Sequence, residues 1–140
     1  MKMITGGCLC RSVRFQIDRP PVAARACWCR DCQYWSCGNY SINLIFETDG
    51  LTIEGEVRDY VSHADSGNVM RRRFCPECGT PLFSAAEARP DLVIVRAGAL
   101  DQPEIARPGS IIWTASAPSW GGIPADLPSC NGQPGPIRRD

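Results

Sequence analysis

The fold of this chain is decided by a short stretch, RFCPECGTPLF, at residues 73–83. Cys75 and Cys78 form a Cys-x-x-Cys pair, which brings two sulfurs to one point only if the backbone turns tightly between them. Pro76 presets the first bend of that turn, and Gly79 permits a left-handed residue after it. A buried apolar pair would not need this turn, and no βαβ pattern suggests a thioredoxin-like redox pair. The stretch therefore predicts a metal-binding knuckle.

A second cysteine pair lies near the start of the chain, at Cys8 and Cys10. Residues i and i+2 of an extended backbone project to the same side, so this pair also presents two sulfurs to one point. Zinc takes four ligands in a tetrahedron, with each sulfur at about 2.3 Å. The two pairs together, Cys8, Cys10, Cys75 and Cys78, predict one closed structural zinc site. Such a site stabilises the fold by joining remote parts of the chain.

The central cysteines, Cys27, Cys29 and Cys32, have a different spacing, Cys-x-Cys-x-x-Cys. Three thiolates fill three zinc positions and leave the fourth for water or an incoming thiol, as a ligand-exchanging or catalytic zinc requires. The pattern also permits a free-thiol cluster, a partial disulfide or a second closed site with Cys37 as the fourth ligand. Cys37 could equally be a small buried hydrophobe.

The composition limits the class of protein. Fifteen basic and fifteen acidic residues cancel, so the basic excess typical of a nucleic-acid binder is missing. No apolar run approaches the roughly 20 residues that span a membrane, and the start does not resemble a signal peptide. We therefore expect a cytoplasmic protein, in which clustered cysteines stay reduced and bind metal more often than they form disulfides. The length predicts one domain over 1–140, with a core at about 4–128 and a loose tail at 129–140.

Hydrophobic alternation predicts an all-β fold with irregular connections. Arg72 interrupts the apolar face of one predicted strand. Frequent prolines exclude long helices and leave short helical turns at 30–35 and 85–88. The predicted strands are Ser12–Ile17, Tyr40–Phe46, Leu51–Ile53, Val69–Phe74, Leu92–Val95 and Ser110–Thr114.

Three motifs, GGCLC at 6–10, CWCRDCQ at 27–33 and RFCPECGTPLF at 73–83, occur in an order and spacing that resemble a known family. This is the glutathione-dependent formaldehyde-activating enzyme family, also called the centromere protein V family. The resemblance extends from Gly6 to about Pro128 and includes a weaker closing motif from Pro108 onward.

The resemblance implies a β-tent fold with two zinc sites. By position, Cys8, Cys10, Cys75 and Cys78 match the structural ligands of the family, and Cys27, Cys29 and Cys32 match its catalytic ligands. The implied activity is of the carbon–sulfur lyase type, joining formaldehyde and glutathione into S-(hydroxymethyl)glutathione. The expected cofactors are one structural zinc and a second, more labile zinc at the central cysteines, and the expected partner is a small thiol such as glutathione.

Two positions depart from the family pattern. Trp28 and Ile111 stand where the family usually has histidine, and His63, the only histidine, lies in a polar loop typical of a solvated surface residue. A non-catalytic, zinc-stabilised binding module is therefore the alternative function. The arginines at 71–73 could receive glutathione carboxylates or form a solvated strand face.

Overall fold

The computed structural model describes residues 2–137, which form a mainly β-sheet structure with one short helix, α1 (Arg30–Trp35). The all-β prediction is confirmed. No helix in the described part of the chain is long and apolar enough to cross a membrane. Short 3₁₀ turns occupy Thr48–Gly50, Ala97–Ala99, Pro103–Ala106 and Thr114–Ser116. The strands are β1 (Ile4–Gly7), β2 (Arg14–Ile17), β3 (Ala23–Cys27), β4 (Ser41–Glu47), β5 (Leu51–Glu54), β6 (Arg58–His63), β7 (Val69–Phe74), β8 (Pro81–Ala86), β9 (Leu92–Arg96) and β10 (Ser110–Ile112).

The strands form two sheets, one of three strands in the order β1-β2-β5 and one of seven in the order β10-β3-β4-β9-β8-β7-β6. Neighbouring strands are antiparallel in both sheets except for β10, which pairs in parallel with β3. This parallel pair places Ile112 beside Cys27. The last strand of the chain therefore lies against the strand that carries the first central cysteine.

The main hydrophobic core lies between the two sheets. Side chains alternate along a strand, so Leu44 and Phe46 of β4 face this core with Phe15 of β2 and Phe83 of β8. The rings of Phe15 and Phe83 meet edge to face, with centroids 5.1 Å apart. In its middle strands, the opposite face of the seven-stranded sheet does not pack against this core. The cavity described below lies on that face.

The predicted strands and the turn at 30–35 coincide with observed elements, but the prediction of a helical turn at 85–88 is wrong. Ala85 and Ala86 belong to β8, and the turn begins only at Glu87. Alanine favours helices, but pairing of β8 with β7 and β9 outweighs this local preference.

The backbone of the tail is hydrogen bonded at its beginning. Ser129 forms a parallel bridge with Ile111, and Cys130 N–H donates to the Ile111 carbonyl at 3.0 Å. Trp113 N–H donates to the carbonyl of Gly132 at 3.3 Å. The domain boundaries at 128 and 140 stay predictions, and residues 138–140 of the predicted loose tail lie outside the described residues.

Candidate metal centres and the adjoining cavity

The structure brings Cys8, Cys10, Cys75 and Cys78 together, with all four Sγ atoms within 4.8 Å of one another. The first pair lies in the loop between β1 and β2, and the second lies in the turn between β7 and β8. The sulfurs of Cys8 and Cys10 are 3.6 Å apart, and those of Cys10 and Cys75 are 3.8 Å apart. Four sulfurs at zinc-ligand distance around one ion are separated by about 3.8 Å, whereas a disulfide needs about 2.05 Å. The set therefore fits a tetrahedral zinc.

Hydrogen-bond donors surround these four sulfurs. The N–H groups of Val13 and Glu77 point to the sulfurs of Cys8 and Cys75 at 3.2 and 3.3 Å. The Thr80 hydroxyl lies 3.1 Å from the Cys78 sulfur and holds the pKa of that thiol at about 5. Donors of this kind offset the negative charge that four thiolates leave on a divalent ion.

The turn between Cys75 and Cys78 has the predicted geometry. Gly79 adopts a left-handed conformation with φ +75°, and its N–H donates to the Cys75 carbonyl at 2.9 Å. A β-carbon at this φ would be strained. Gly79 therefore closes the knuckle and leads the chain into β8.

The structure also brings Cys27, Cys29 and Cys32 together, and all three are buried. Cys27 ends β3, Cys29 caps the start of α1, and Cys32 lies in its first turn. The Cys32 N–H donates to the Cys29 sulfur at 3.3 Å, and the Cys29 N–H approaches the Cys27 sulfur at 3.5 Å. The end of a strand and the first turn of a helix thus aim three sulfurs, again within 4.8 Å, at one point. This donor set fits three positions of a zinc ion.

The protons of the three central thiols are shared unequally. Hydrogen bonds from Cys27 and Cys29, together with the charge of Arg96, hold the pKa of Cys32 down to about 2. The hydrogen bond with Cys27 acts to lower the pKa of Cys29, but the bond with Cys32 and burial outweigh it and raise that pKa to about 11. Hydrogen bonding to Cys29 and Cys32 and burial raise the pKa of Cys27 further. The lowered pKa of Cys32 makes it the thiol of this cluster that is most easily deprotonated, and a metal ligand must be deprotonated.

The two remaining cysteines lie at different places. Cys37 is exposed, with φ 61°, and does not join the central sulfurs in the described structure. Cys130 is half-buried and packs against the central cluster. No local sequence signal places Cys130 beside this cluster, because its position depends on the parallel pairing of residues 111 and 129, a contact between distant positions.

A cavity of about 430 Å³ opens beside the central cysteines on the second face of the seven-stranded sheet. Its rim includes loop residues 64–66, Trp113 and the tail at 133–137. Its floor consists mainly of alternate residues from five adjacent strands, because every second side chain of a strand points to the same face of the sheet. These floor residues are Arg25 and Cys27 of β3, Asn43 and Ile45 of β4, Ile94 and Arg96 of β9, Ser84 and Ala86 of β8, and Met70 and Arg72 of β7.

Two arginines of the floor are buried and have partners. Arg96 Nη1 donates to Asn43 Oδ1 at 2.5 Å. Arg72 donates to the hydroxyl of Ser62 at 2.6 Å and to the carboxylate of Asp31 at 3.2 Å. The apparent interruption of an apolar strand face by Arg72 is therefore the mark of a polar cavity floor.

The arginines that flank Arg72 belong to the other face of β7. Arg71 pairs with Asp59 at 2.9 Å, and Arg73 pairs with the same carboxylate at 3.4 Å. Of the three arginines considered as carboxylate receptors, only Arg72 lines the cavity.

The two positions that depart from the family pattern are filled by core residues. Trp28 is fully buried, donates its indole N–H to the Gly122 carbonyl at 3.0 Å, and contacts Tyr40 edge to face at 5.4 Å. Ile111 is fully buried beside Trp28. His63 is exposed at the end of β6 and does not line the cavity. Imidazole is therefore missing from the cavity lining that the structure describes.

The sequence model of the glutathione-dependent formaldehyde-activating enzyme family matches residues 3–116, most of the chain. No curated protein matches this chain. Among solved structures, a crystal structure of a Rhodobacter sphaeroides protein is similar, with 19% identity and a TM-score of 0.54 over 69% of this chain and 87% of that chain. This structural likeness supports the fold alone. The family match, over both cysteine groups, shows that the chain belongs to the glutathione-dependent formaldehyde-activating enzyme family.

Proposed function

We propose that this chain is a zinc-dependent enzyme of the carbon–sulfur lyase type, which adds glutathione or a similar thiol to a small aldehyde such as formaldehyde. The family membership supports the reaction class. The observation that carries the proposal is the opening of three buried, converging cysteines onto a cavity of about 430 Å³. Three ligands leave one tetrahedral position for a substrate, whereas four close the site.

The two cysteine groups then have different roles. Cys8, Cys10, Cys75 and Cys78 would hold a structural zinc that ties the β1–β2 loop to the β7–β8 turn. Cys27, Cys29 and Cys32 would hold the catalytic zinc, which supplies an open position and lowers the pKa of an incoming thiol.

The chain contributes binding and electrostatics to the reaction. Arg96 lies beside Cys32 and offsets part of the charge of the three thiolates. The carbon–sulfur bond forms as the carbonyl π bond opens, and the proton of the thiol ends on the new hydroxyl oxygen. No histidine lines the described cavity, so an imidazole does not carry this proton.

The experiment is a calorimetric titration of the zinc-loaded protein with glutathione, together with zinc content per chain. We expect saturable binding and two zinc ions in the wild type, and one zinc without glutathione binding in Cys29→Ser. Cys37→Ser is the matched control, since Cys37 is exposed and outside both groups. Equal glutathione binding by wild type and Cys29→Ser, or one zinc in both, would contradict the proposal.

A non-catalytic, zinc-stabilised binding module is the second candidate function. It is favoured by the two core residues, Trp28 and Ile111, at the positions where the family usually has histidine. This alternative predicts that Cys29→Ser leaves folding and partner binding intact.

The charge balance of the chain bears on its partner, and its cysteines bear on its location. The equal numbers of acidic and basic residues support a small-molecule partner over nucleic acid. Cysteines clustered for metal binding rather than paired in a disulfide framework support a cytoplasmic location, where thiols stay reduced.

A further inference from the structure

One arginine of the cavity floor differs from the others in its partners. Arg72 pairs with Asp31, and Arg89, at the rim, pairs with Asp91. The side chain of Arg25 makes no hydrogen bond or ion pair with any residue in the range 2–137. Yet it is half-buried in the wall of the cavity. A half-buried guanidinium that lines a cavity and has no carboxylate partner is suited to binding an anionic group of a ligand.

Arg25 lies beside the central cysteines. It precedes Cys27 by two residues on β3, so both side chains project from the same face of the sheet into the cavity. Their Cα atoms are separated by about 6–7 Å in an extended strand. The strand neighbour of Arg25, Asn43, already accepts a hydrogen bond from Arg96 and donates one to Ser41. Among residues 2–137, no side chain therefore competes with an entering ligand for Arg25.

The charge of the central thiolates does not fully explain Arg25. Arg96 is almost completely buried, lies beside Cys32 and already opposes this charge. The cavity floor also contains a second unsatisfied polar group, because the buried hydroxyl of Ser84 has no hydrogen-bond partner among the described residues. Two polar groups left without partners on one cavity face indicate a polar ligand.

We propose that Arg25 binds the carboxylate of a thiol whose sulfur occupies the open position beside Cys27. The inference rests on the proposed function and narrows its substrate class to mercapto acids and peptide thiols with a carboxylate within reach of Arg25. A guanidinium holds a carboxylate through two parallel hydrogen bonds, so it fixes the orientation of the thiol as well as its affinity. Arg25 is accordingly a positioning residue.

The test compares two probes of nearly equal size, 3-mercaptopropionate and 3-mercapto-1-propanol, on the cobalt-substituted protein. Binding of either sulfur to cobalt changes the visible absorption and yields a Kd without turnover. In the wild type we expect the acid to bind at least about tenfold more tightly than the alcohol, the effect of one charge-assisted contact. In Arg25→Gln this preference disappears, while the Kd of the alcohol changes less than about twofold.

Arg89→Gln is the matched control, since it removes the same charge from the cavity rim at a residue that already has a carboxylate partner. We expect it to keep the preference for the acid. A preference lost equally in both variants would show a general field effect and would overturn the role of Arg25.

The remaining outcomes separate this inference from the proposed function. If neither probe changes the cobalt spectrum, the open position is absent and the proposed function fails with it. If both probes bind the wild type equally, the function stands and the inference on Arg25 is wrong. It is equally wrong if Arg25→Gln keeps the preference for the acid. It is also wrong if this variant slows turnover with glyoxylate but not with formaldehyde, because the carboxylate then belongs to the aldehyde.

Discussion

The two cysteine groups use the same ligand atom in contrasting surroundings. The four-cysteine group lies at the surface between a loop and a turn, with Cys10 and Cys78 exposed. The three-cysteine group lies at the end of a strand and the start of a helix, with all its members buried. The first group supplies four sulfurs, enough for a closed tetrahedral site, whereas the second supplies three and faces a cavity.

The arginines near the two cysteine groups also differ, in whether they have a carboxylate partner. Arg14, close to Cys8, is paired with Asp101 by two hydrogen bonds. Arg25, close to Cys27, has no such partner in the described structure. We therefore expect the number of cysteines and the pairing of the adjacent arginine to distinguish a stabilising site from one that binds a ligand.

The largest expected effect comes from removing one ligand of each group. Cys75→Ser should destabilise the fold by about 4–5 kcal/mol or more, because metal binding at this group is coupled to folding. Cys29→Ser should keep the fold and lose one zinc. Thermal unfolding followed by circular dichroism, with zinc content measured on the same samples, checks both. Similar melting temperatures for the two variants would remove the distinction between the groups.

A core substitution tests whether Trp28 has only a structural role. Trp28→Ala should destabilise the protein by about 3–5 kcal/mol, since it leaves a large void in a fully buried cluster. The zinc content should remain that of the wild type. Denaturant unfolding and metal analysis measure the two quantities, and a loss of zinc at full stability would assign Trp28 to the metal site instead.

A substitution of Arg96 can remove its positive charge beside the central cysteines and keep its hydrogen bond to Asn43. Arg96→Gln keeps a donor for Asn43 but takes away the cation beside Cys32. We expect the central zinc affinity to fall by about 10–100-fold, as for other residues that support metal ligands. In a competition titration with a chelator, loss of the central zinc should then begin at a lower chelator concentration. Loss of the zinc of the four-cysteine group should be unchanged. The same shift in Arg89→Gln would indicate a nonspecific effect of charge.

The smallest effect is expected at the paired arginine of the surface group. Hydrogen bonds from Arg14 and Thr5 hold the pKa of Asp101 at about 2. Because this pair is exposed to solvent, Asp101→Asn should cost less than about 1 kcal/mol and leave both zinc ions in place. Urea unfolding at neutral pH measures this difference. A much larger loss would mean that the surface site depends on its surrounding charges as strongly as the central one.

The sequence predicts those strands whose apolar residues alternate, such as β2 and β4, because burial of one face leaves a clear period of two. It does not reveal β3, an alanine-rich segment, or β6, whose residues are mostly polar and exposed. β1 contains two glycines, and its sequence also lacks the alternation that predicts a strand. These strands form because neighbouring strands supply their hydrogen bonds, which is information from distant parts of the chain.

The candidate sites show the same limit. The spacing of the cysteines suffices to predict both groups, because the local geometry of Cys-x-Cys and Cys-x-x-Cys brings sulfurs together. The roles of Arg25 and Arg96 were not predicted, since each depends on strand register across the sheet. The position of Cys130 depends on the pairing of the tail and was missed for the same reason.

The parallel pairing of β10 with β3 sets an order for assembly. Residues 23–32 leave the ribosome early, but the strand and tail that complete the wall beside Cys27 are made about 80–100 residues later. The knuckle at 75–78 is complete well before that wall. During synthesis the four cysteines of the first group can therefore meet first, and the central cysteines become shielded only when residues 110–137 have been made.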